Sequence, residues 1–596
     1  MLRDRDSGVR LSNVSSGRRV LFVSQLRGGQ TMLICGIHDG HNAAACLVRD
    51  GQLVSAVQEE RITRIKNWTG FPALSIEAQL NAIGAGWRDV DAYVFAGHEH
   101  YYLPGTPGDR ASQIVAYKEK TSLGQYPRRW ARHTPLRSLT HAHRWSRRTG
   151  PVLAHRVAPG AVSKIEHHRC HAMTAYYGAR SRPDVLVMTL DGAGDGLCAT
   201  VAVPDESGVL RRIVAVEEQH SIGILWALLT SLMGMVPNEH EYKMMGMAPY
   251  AALNAARDTA DIFHSGFKME KGSWRRANGL PEAMYAYNYW RDRLEFKRFD
   301  AICGGLQLFT EEFVCNWIRY WLKRSGLKSV RLSGGVFMNV KMNKAIMELS
   351  ELREMFVFPS CGDETNCIGA AWAHLEDHGQ SRSIRPVGPL YLGLPPSCAD
   401  YEHAASTANA AQCTVCRPDD ISEEVASLLS RGEIVARFAD REEFGARALG
   451  NRSILADPSR AHVVKSINRA IKSRDFWMPF ACSIMEEVAD AFVHNPKGLS
   501  APYMIMTFDA RDANKIIAGC HPEDLSVRPQ IVTREWNTEY YRIMSAFRDK
   551  TGVGALLNTS FNLHGEPIVS RPAEAVDVLL RSGLRHLCLG PYLIAK

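Results

Sequence analysis

No stretch of this 596-residue chain stays apolar long enough to cross a bilayer. The longest run, about 224–237, is broken by Thr230 and Ser231, so no membrane contact is expected. The first 31 residues lack the layout of a signal peptide, because Arg and Asp flank a brief apolar patch at 20–23. They are expected to form a disordered leader. Cys413-Thr-Val-Cys416 has no second CxxC beside it, and a structural zinc site needs four ligands. The 14 cysteines are scattered, with Cys35, Cys46 and Cys198 in apolar surroundings, the pattern of buried free thiols in a reducing, cytoplasmic compartment. Neither a low-complexity block nor an internal repeat is visible. A concentrated basic stripe is missing too, so no nucleic-acid partner is expected, although a formal net charge of +8 suits anionic small molecules.

What is present is an ordinary globular composition, 45% hydrophobic and 22% charged, on a chain too long for one core. The class is α/β. Short apolar runs at 33–37, 43–48 and 53–58 read as strands, the last two flanking an Arg49-Asp50-Gly51 hairpin turn. Further strands at 185–190, 330–332 and 355–358 each run into a polar or glycine-rich turn. The chemically interesting residues follow these strand ends, the edge where α/β sheets bind ligands. A stretch rich in Arg, His and Tyr at about 101–168 reads as a solvated, variable insertion. The Gly- and Pro-dense segment at 388–398 reads as a linker between a domain at 32–387 and a second α/β unit at 399–596, with strands at 434–438 and near 555–557.

His167 and His171 stand four apart, so on a helix both imidazoles project from one face. Ser163 and Glu166 have capping-box spacing, which places the helix start just before the pair. With Asp191 and Asp363 they form a nitrogen and oxygen donor set suited to Fe(II), Mn(II) or Zn(II). The Asp-Gly-Ala-Gly-Asp-Gly segment from Asp191 and the Ser333-Gly-Gly turn can each bring backbone N–H groups to phosphate, with Lys243 as an added cation. His41, in the turn after the first strand, can act as a general base near neutral pH. In the second unit, Arg447, Lys472 and Arg528, with Ser560 and Asn562, offer forks and point charges for phosphate and a planar amide-like group.

In this order, these motifs resemble the NodU/CmcH family of O-carbamoyltransferases, from about Met32 to the C-terminus. The resemblance rests on His-Asn-Ala-Ala-Ala from His41, Glu59-Glu-Arg61, His-His-x-x-His-Ala, Asp-Gly-x-Gly, Lys-x-Met-Gly-x-Ala-Pro-Tyr, Ser-Gly-Gly-Val, Gly-Asp, Phe-Gly-x-Arg-Ala-Leu-Gly-Asn-Arg-Ser-Ile-Leu-Ala-Asp and Asn-Thr-Ser-Phe-Asn. It implies an actin/Hsp70-like (Kae1-like) N-terminal domain and a YrdC-like C-terminal one. The C-terminal domain would condense carbamoyl phosphate with ATP, with Mg2+, to carbamoyl-adenylate and pyrophosphate. The N-terminal domain would pass the carbamoyl group to a hydroxyl of a small-molecule acceptor of the antibiotic, toxin or nodulation-factor class. The implied metal, commonly iron, would be held by His167, His171, Asp191 and Asp363, with His41 as base. Lys243, Gly334, Gly335 and Asn339 would line the adenylate pocket. Arg447, Lys472, Arg528, Ser560 and Asn562 would bind carbamoyl phosphate and ATP. The chain departs from the pattern at Glu364-Thr365, Ala446 and Trp477-Met478. The alternatives are a tRNA threonylcarbamoyl-type enzyme and a non-catalytic ATP- and metal-binding regulator. A monomer or homodimer is expected.

Overall fold

The computed structural model describes residues 32–98 and 136–596, so the expected leader and residues 99–135 of the expected insertion lie outside the described residues. The first sheet is built from β1 (Leu33–His38), β2 (Ala44–Arg49), β3 (Gln52–Gln58), β4 (Ala92–Ala96) and β5 (Val162–Ile165), in the order β3-β2-β1-β4-β5. The three early strands are antiparallel, while β1, β4 and β5 run parallel. The hairpin joining β2 to β3 turns on Asp50 and Gly51, both at positive φ (52° and 80°), which matches the twist of the flanking strands.

A second sheet uses β6 (Leu186–Gly194), β7 (Leu197–Pro204) and β8 (Leu210–Glu217). After a separate hairpin of β9 (Phe267–Glu270) and β10 (Ser273–Arg276), it is completed by β11 (Ser329–Ser333) and β12 (Glu354–Val357). Its order is β12-β11-β6-β7-β8, again three antiparallel strands followed by two parallel ones on the far side of the first. The two sheets therefore share one topology, the doubled arrangement of an actin/Hsp70-like ATPase fold. This corrects the expectation of no internal repeat: the repeat lies in strand order and direction, which residue identities do not preserve. The helices His167–Tyr177 and Asn366–Asp377 pack against each other between these sheets. They touch backbone to backbone, since a Cβ on Gly369 would stand 2.1 Å from the Cys170 carbonyl oxygen.

The C-terminal α/β unit, where a YrdC-like domain is expected, holds one eight-stranded mixed sheet. Its strands are β13 (Thr414–Cys416), β14 (Val435–Phe438), β15 (Arg452–Ala456), β16 (Ala481–Met485), β20 (Pro529–Val532), β21 (Ala555–Ser560), β22 (His586–Leu589) and β23 (Tyr592–Ala595). A small sheet of β17 (Val493–His494), β18 (Phe508–Ala510) and β19 (Ser526–Val527) stands beside it. Helices Cys398–Ala410 and Pro572–Arg581 cover one face with a core of their own, while the other face joins the large core of the N-terminal sheets through Phe444, Leu449 and Cys482. The Asn343 side chain donates to the Ile505 carbonyl (2.8 Å) and Arg441 to that of Val54 (2.7 Å), so buried polar contacts also span the two units.

Three further expectations change. The end of the expected insertion is not solvated: β5 is an edge strand of the first sheet, and Trp145 and Val152 of the helix Leu136–Leu153 pack on its core. The Asp191 segment is not a phosphate turn, because β6 continues to Gly194 and the chain reverses at Asp195-Gly196 (φ 52° and 86°). Ser163 lies in β5, and Glu166 itself caps the helix that bears the histidines, accepting from the amides of His168 (3.0 Å) and Arg169 (2.9 Å). Gly334, at φ 115°, has no room for a side chain, since a Cβ would meet the Leu190 carbonyl oxygen at 2.3 Å. Gly334→Ala should therefore cost about 2 kcal/mol or more of stability, read as a fall in thermal midpoint. An unchanged midpoint would refute this packing.

Candidate functional site

Four donors converge where the two N-terminal sheets face each other. His167 and His171 come from one helix, Asp191 from β6, and Asp363 from the turn before the helix Asn366–Asp377. Their nearest nitrogen and oxygen atoms all lie within 4.8 Å of one another. His167 Nε2 is 3.2 Å from Asp191 Oδ2 and 3.4 Å from Asp363 Oδ1, and His171 Nε2 is 3.3 Å from Asp363 Oδ1. Asp363 Oδ1 is buried with no hydrogen-bond donor of its own. Burial works against a charged His167, but Asp363 and Asp191 outweigh it and hold the imidazole protonated, pushed up to about 10. Two clustered carboxylates thus draw positive charge into the centre. The donor set fits a divalent transition metal.

Outer contacts aim these donors. Gly335 N–H donates to Asp191 Oδ1 (2.9 Å), and the Ser333 hydroxyl lies 3.3 Å from His171 Nδ1, leaving Nε2 to face the cluster. Asp195 accepts from the His167 amide (2.8 Å), anchoring the start of the histidine helix. His168 points away into the β6–β7 layer, where Nδ1 meets Thr189 Oγ1 at 2.8 Å. Of the first group of expected residues, Gly334 and Gly335 stand beside Asp191. Asn339 caps the helix Val340–Met347 and pairs with Gln307 in both directions (3.0 and 2.8 Å). Lys243 Nζ meets Asp475 of the C-terminal unit at 3.0 Å. His41 sits half-buried in the turn after β1, and its neighbour His38 hydrogen-bonds the His41 carbonyl (3.1 Å). Burial lowers the pKa of His41, against the charges of Asp363, Glu60, Glu239 and Asp191, which keeps the ring neutral and able to accept a proton.

A second cluster lies in the C-terminal unit. Lys472 ends a π-helical turn, Asn468–Lys472, and its ammonium donates to Asn562 Oδ1 (2.7 Å), the Asn562 carbonyl (3.2 Å) and Ser560 Oγ (3.1 Å). Arg474 donates to Thr559 Oγ1 (3.1 Å). Burial, then Arg447 and Arg474, lower the pKa of Arg528; burial, then Arg474 and Lys66, lower that of Lys472. Arg447, Lys472, Arg474 and Arg528 thus crowd together, and among the described residues no carboxylate pairs with any of them. Such a cluster is suited to an anion of several charges, which would offset the repulsion among the buried cations. Arg474, Lys66 and Tyr242 were not among the expected site residues. Arg474 shares the Lys472 motif and could have been found there, while Lys66 and Tyr242 are brought in by the other domain.

The two clusters are joined through residues 360–365. The Glu364 carboxyl, pushed up to about 7 by burial, accepts from Ser360 Oγ (2.6 Å), and Ser360 Oγ accepts from the Ala446 amide (3.1 Å). Arg61, buried in the short helix Glu59–Thr63 that follows β3, donates to the Gly445 carbonyl (2.5 Å). The departures at Glu364 and Ala446 are therefore partners in one contact beside Asp363 and Arg447. Glu443 Oε1 shapes the arginine loop by accepting from the amides of Leu449, Asn451 and Arg452 (2.7, 2.7 and 3.2 Å).

Comparison with known proteins bears on this arrangement. Residues 33–372 match the carbamoyltransferase N-terminus family and residues 426–596 the carbamoyltransferase C-terminus family. The chain is 30% identical over 561 residues to nodulation protein NolNO of Sinorhizobium fredii, covering 93% of this chain and 79% of that protein. It is 30% identical over 261 residues to 3'-hydroxymethylcephem-O-carbamoyltransferase of Amycolatopsis lactamdurans, covering 44% of this chain and 47% of that one. Full-length HypF in a phosphate- and nucleotide-bound form aligns with a TM-score of 0.31 at 11% identity, over 58% of this chain and 55% of that one.

Proposed function

We propose that this chain, which belongs to the carbamoyltransferase family, is an ATP-dependent O-carbamoyltransferase that divides its work between two centres. The observation that carries the reading is the group of four cations without carboxylate partners, one loop away from the His/Asp centre. In this reading Arg447, Lys472, Arg474 and Arg528 bind carbamoyl phosphate and the polyphosphate of ATP, with Ser560 and Asn562 beside them. For the atoms to balance, carbamoyl phosphate must give up its own phosphate. Water cleaves it to carbamate and inorganic phosphate, a carbamate oxygen attacks the α-phosphorus of ATP, and pyrophosphate leaves. Clustered cations stabilise the charge on both leaving groups.

The product, carbamoyl-adenylate, is a mixed anhydride with AMP as a good leaving group, whereas a free carbamoyl carbonyl is deactivated by its nitrogen. At the second centre His41 accepts the proton of the acceptor hydroxyl while its oxygen attacks the carbamoyl carbon, and AMP departs. Gly334 and Gly335 leave space for close backbone approach. His167, His171, Asp191 and Asp363 would hold Fe(II), Mn(II) or Zn(II), which would supply Lewis acidity toward a carbonyl or phosphate oxygen. The acceptor is a hydroxyl of a small molecule of the antibiotic, toxin or nodulation-factor class. Purified protein given carbamoyl phosphate and ATP should release pyrophosphate and phosphate in equal amounts, and omission of carbamoyl phosphate should stop both. Release of ADP in place of pyrophosphate would sink the proposal.

A further inference from the structure

Arg148 lies in the helix Leu136–Leu153, a segment that its composition marks as solvated, yet its guanidinium is almost fully covered. It forms a two-pronged pair with Asp39: Nε donates to Oδ2 and Nη2 to Oδ1, each at 2.8 Å. The other donors close on the end of β4, with Nη1 2.9 Å from the Gly97 carbonyl oxygen and Nη2 3.1 Å from that of Ala96. The guanidinium carbon stands 5.2 Å from the Phe95 ring and 5.8 Å from that of Trp145, and Trp145 packs edge-on against Phe95 at 5.6 Å. Four directed hydrogen bonds and two aromatic faces fix this cation more firmly than a surface ion pair would.

Asp39 is the residue between β1 and the turn that carries His41. Within that turn, Asn42 takes a left-handed conformation (φ 58°), and His41 forms an isolated bridge with Thr69. A turn with one residue strained and few ladder bonds needs outside support to hold one geometry. We propose that Arg148 is a positioning residue: through Asp39 it fixes the 38–42 turn, and with it His41, against the His167/His171/Asp191/Asp363 centre. The helix that carries Arg148 is then a wall of the transfer site rather than an appendage. The consequence for transfer rests on the function proposed above, while the clamp itself does not.

The test uses Arg148→Lys and Asp39→Asn in the full chain. Lysine keeps the charge but loses the fork, and asparagine keeps the shape but loses the charge. Amide hydrogen exchange across 38–42 should quicken about tenfold or more in both variants, while exchange in the histidine helix stays as in the parent. Carbamoyl phosphate-dependent pyrophosphate release should remain within about twofold, and kcat for carbamoylation of glycerol, used as a probe alcohol, should fall about tenfold at unchanged KM. Unchanged protection of the turn in both variants would overturn the proposal. So would loss of protection spread evenly over the histidine helix, or failure of both variants to fold, since either assigns the pair to general stability. If the parent protein does not carbamoylate glycerol, exchange alone decides. Absence of pyrophosphate release in the parent would remove the functional reading and leave the clamp to the exchange result.

Discussion

His171→Ala should lower carbamoyl transfer about 1,000-fold, roughly 4 kcal/mol of transition-state stabilisation, and leave pyrophosphate release within about threefold. The asymmetry follows from placement. His171 is wholly buried, its Nε2 faces Asp363 at 3.3 Å, and its contacts run to Ser333 and Asn366 rather than to the C-terminal cations. Removing the imidazole takes away one of the four converging donors, so metal content measured by elemental analysis should fall as well. Equal loss of both half-reactions would place the two steps at one centre and contradict the division of work.

Arg528→Met should have the opposite profile. Pyrophosphate release should drop about 100-fold, and transfer should fall with it. Arg528 is pressed by Arg447 and Arg474 as well as by burial, so its loss relieves repulsion, and the thermal midpoint of the ligand-free protein should hold or rise. A site that trades stability for anion binding behaves in this way, whereas a structural arginine would lower the midpoint when removed. Carbamoyl-adenylate made separately and added to the variant should restore transfer, because the His/Asp centre is untouched. Failure of that rescue in a folded variant would mean that Arg528 serves both steps.

Much of this arrangement could be read along the chain, and the parts that could not share a cause. Short apolar runs ending in polar turns located β1, β6, β11 and β12, and Asp363 fell after the end of β12, whereas Asp191 lies within the longer β6 and the histidine pair follows β5, a strand that no apolar run marked. The doubled sheet stayed hidden because topology is carried by strand order, which no local pattern encodes. The glycines after Asp191 suggested a turn, but pairing with β7 kept the chain extended to Gly194 and moved the reversal to Asp195-Gly196. Glu166 could be placed near a helix start without revealing whether it, or Ser163, would be the cap. Arg148 looked solvated because its carboxylate partner lies 109 residues away. Arg447, Lys472 and Arg528 announced an anion site through their motifs, while Lys66 and Tyr242 join it only through contact between the units.

The most direct measurement is a product analysis of the His171→Ala protein supplied with carbon-labelled carbamoyl phosphate and ATP labelled at the α-phosphorus. Expected is one acid-quenched species that carries both labels, accumulating with pyrophosphate and not passing its carbon to any alcohol. Formation of labelled ADP, or of AMP and free carbamate with no doubly labelled species at any time, would contradict an activated carbamoyl group made at the cation cluster and spent at the histidine centre.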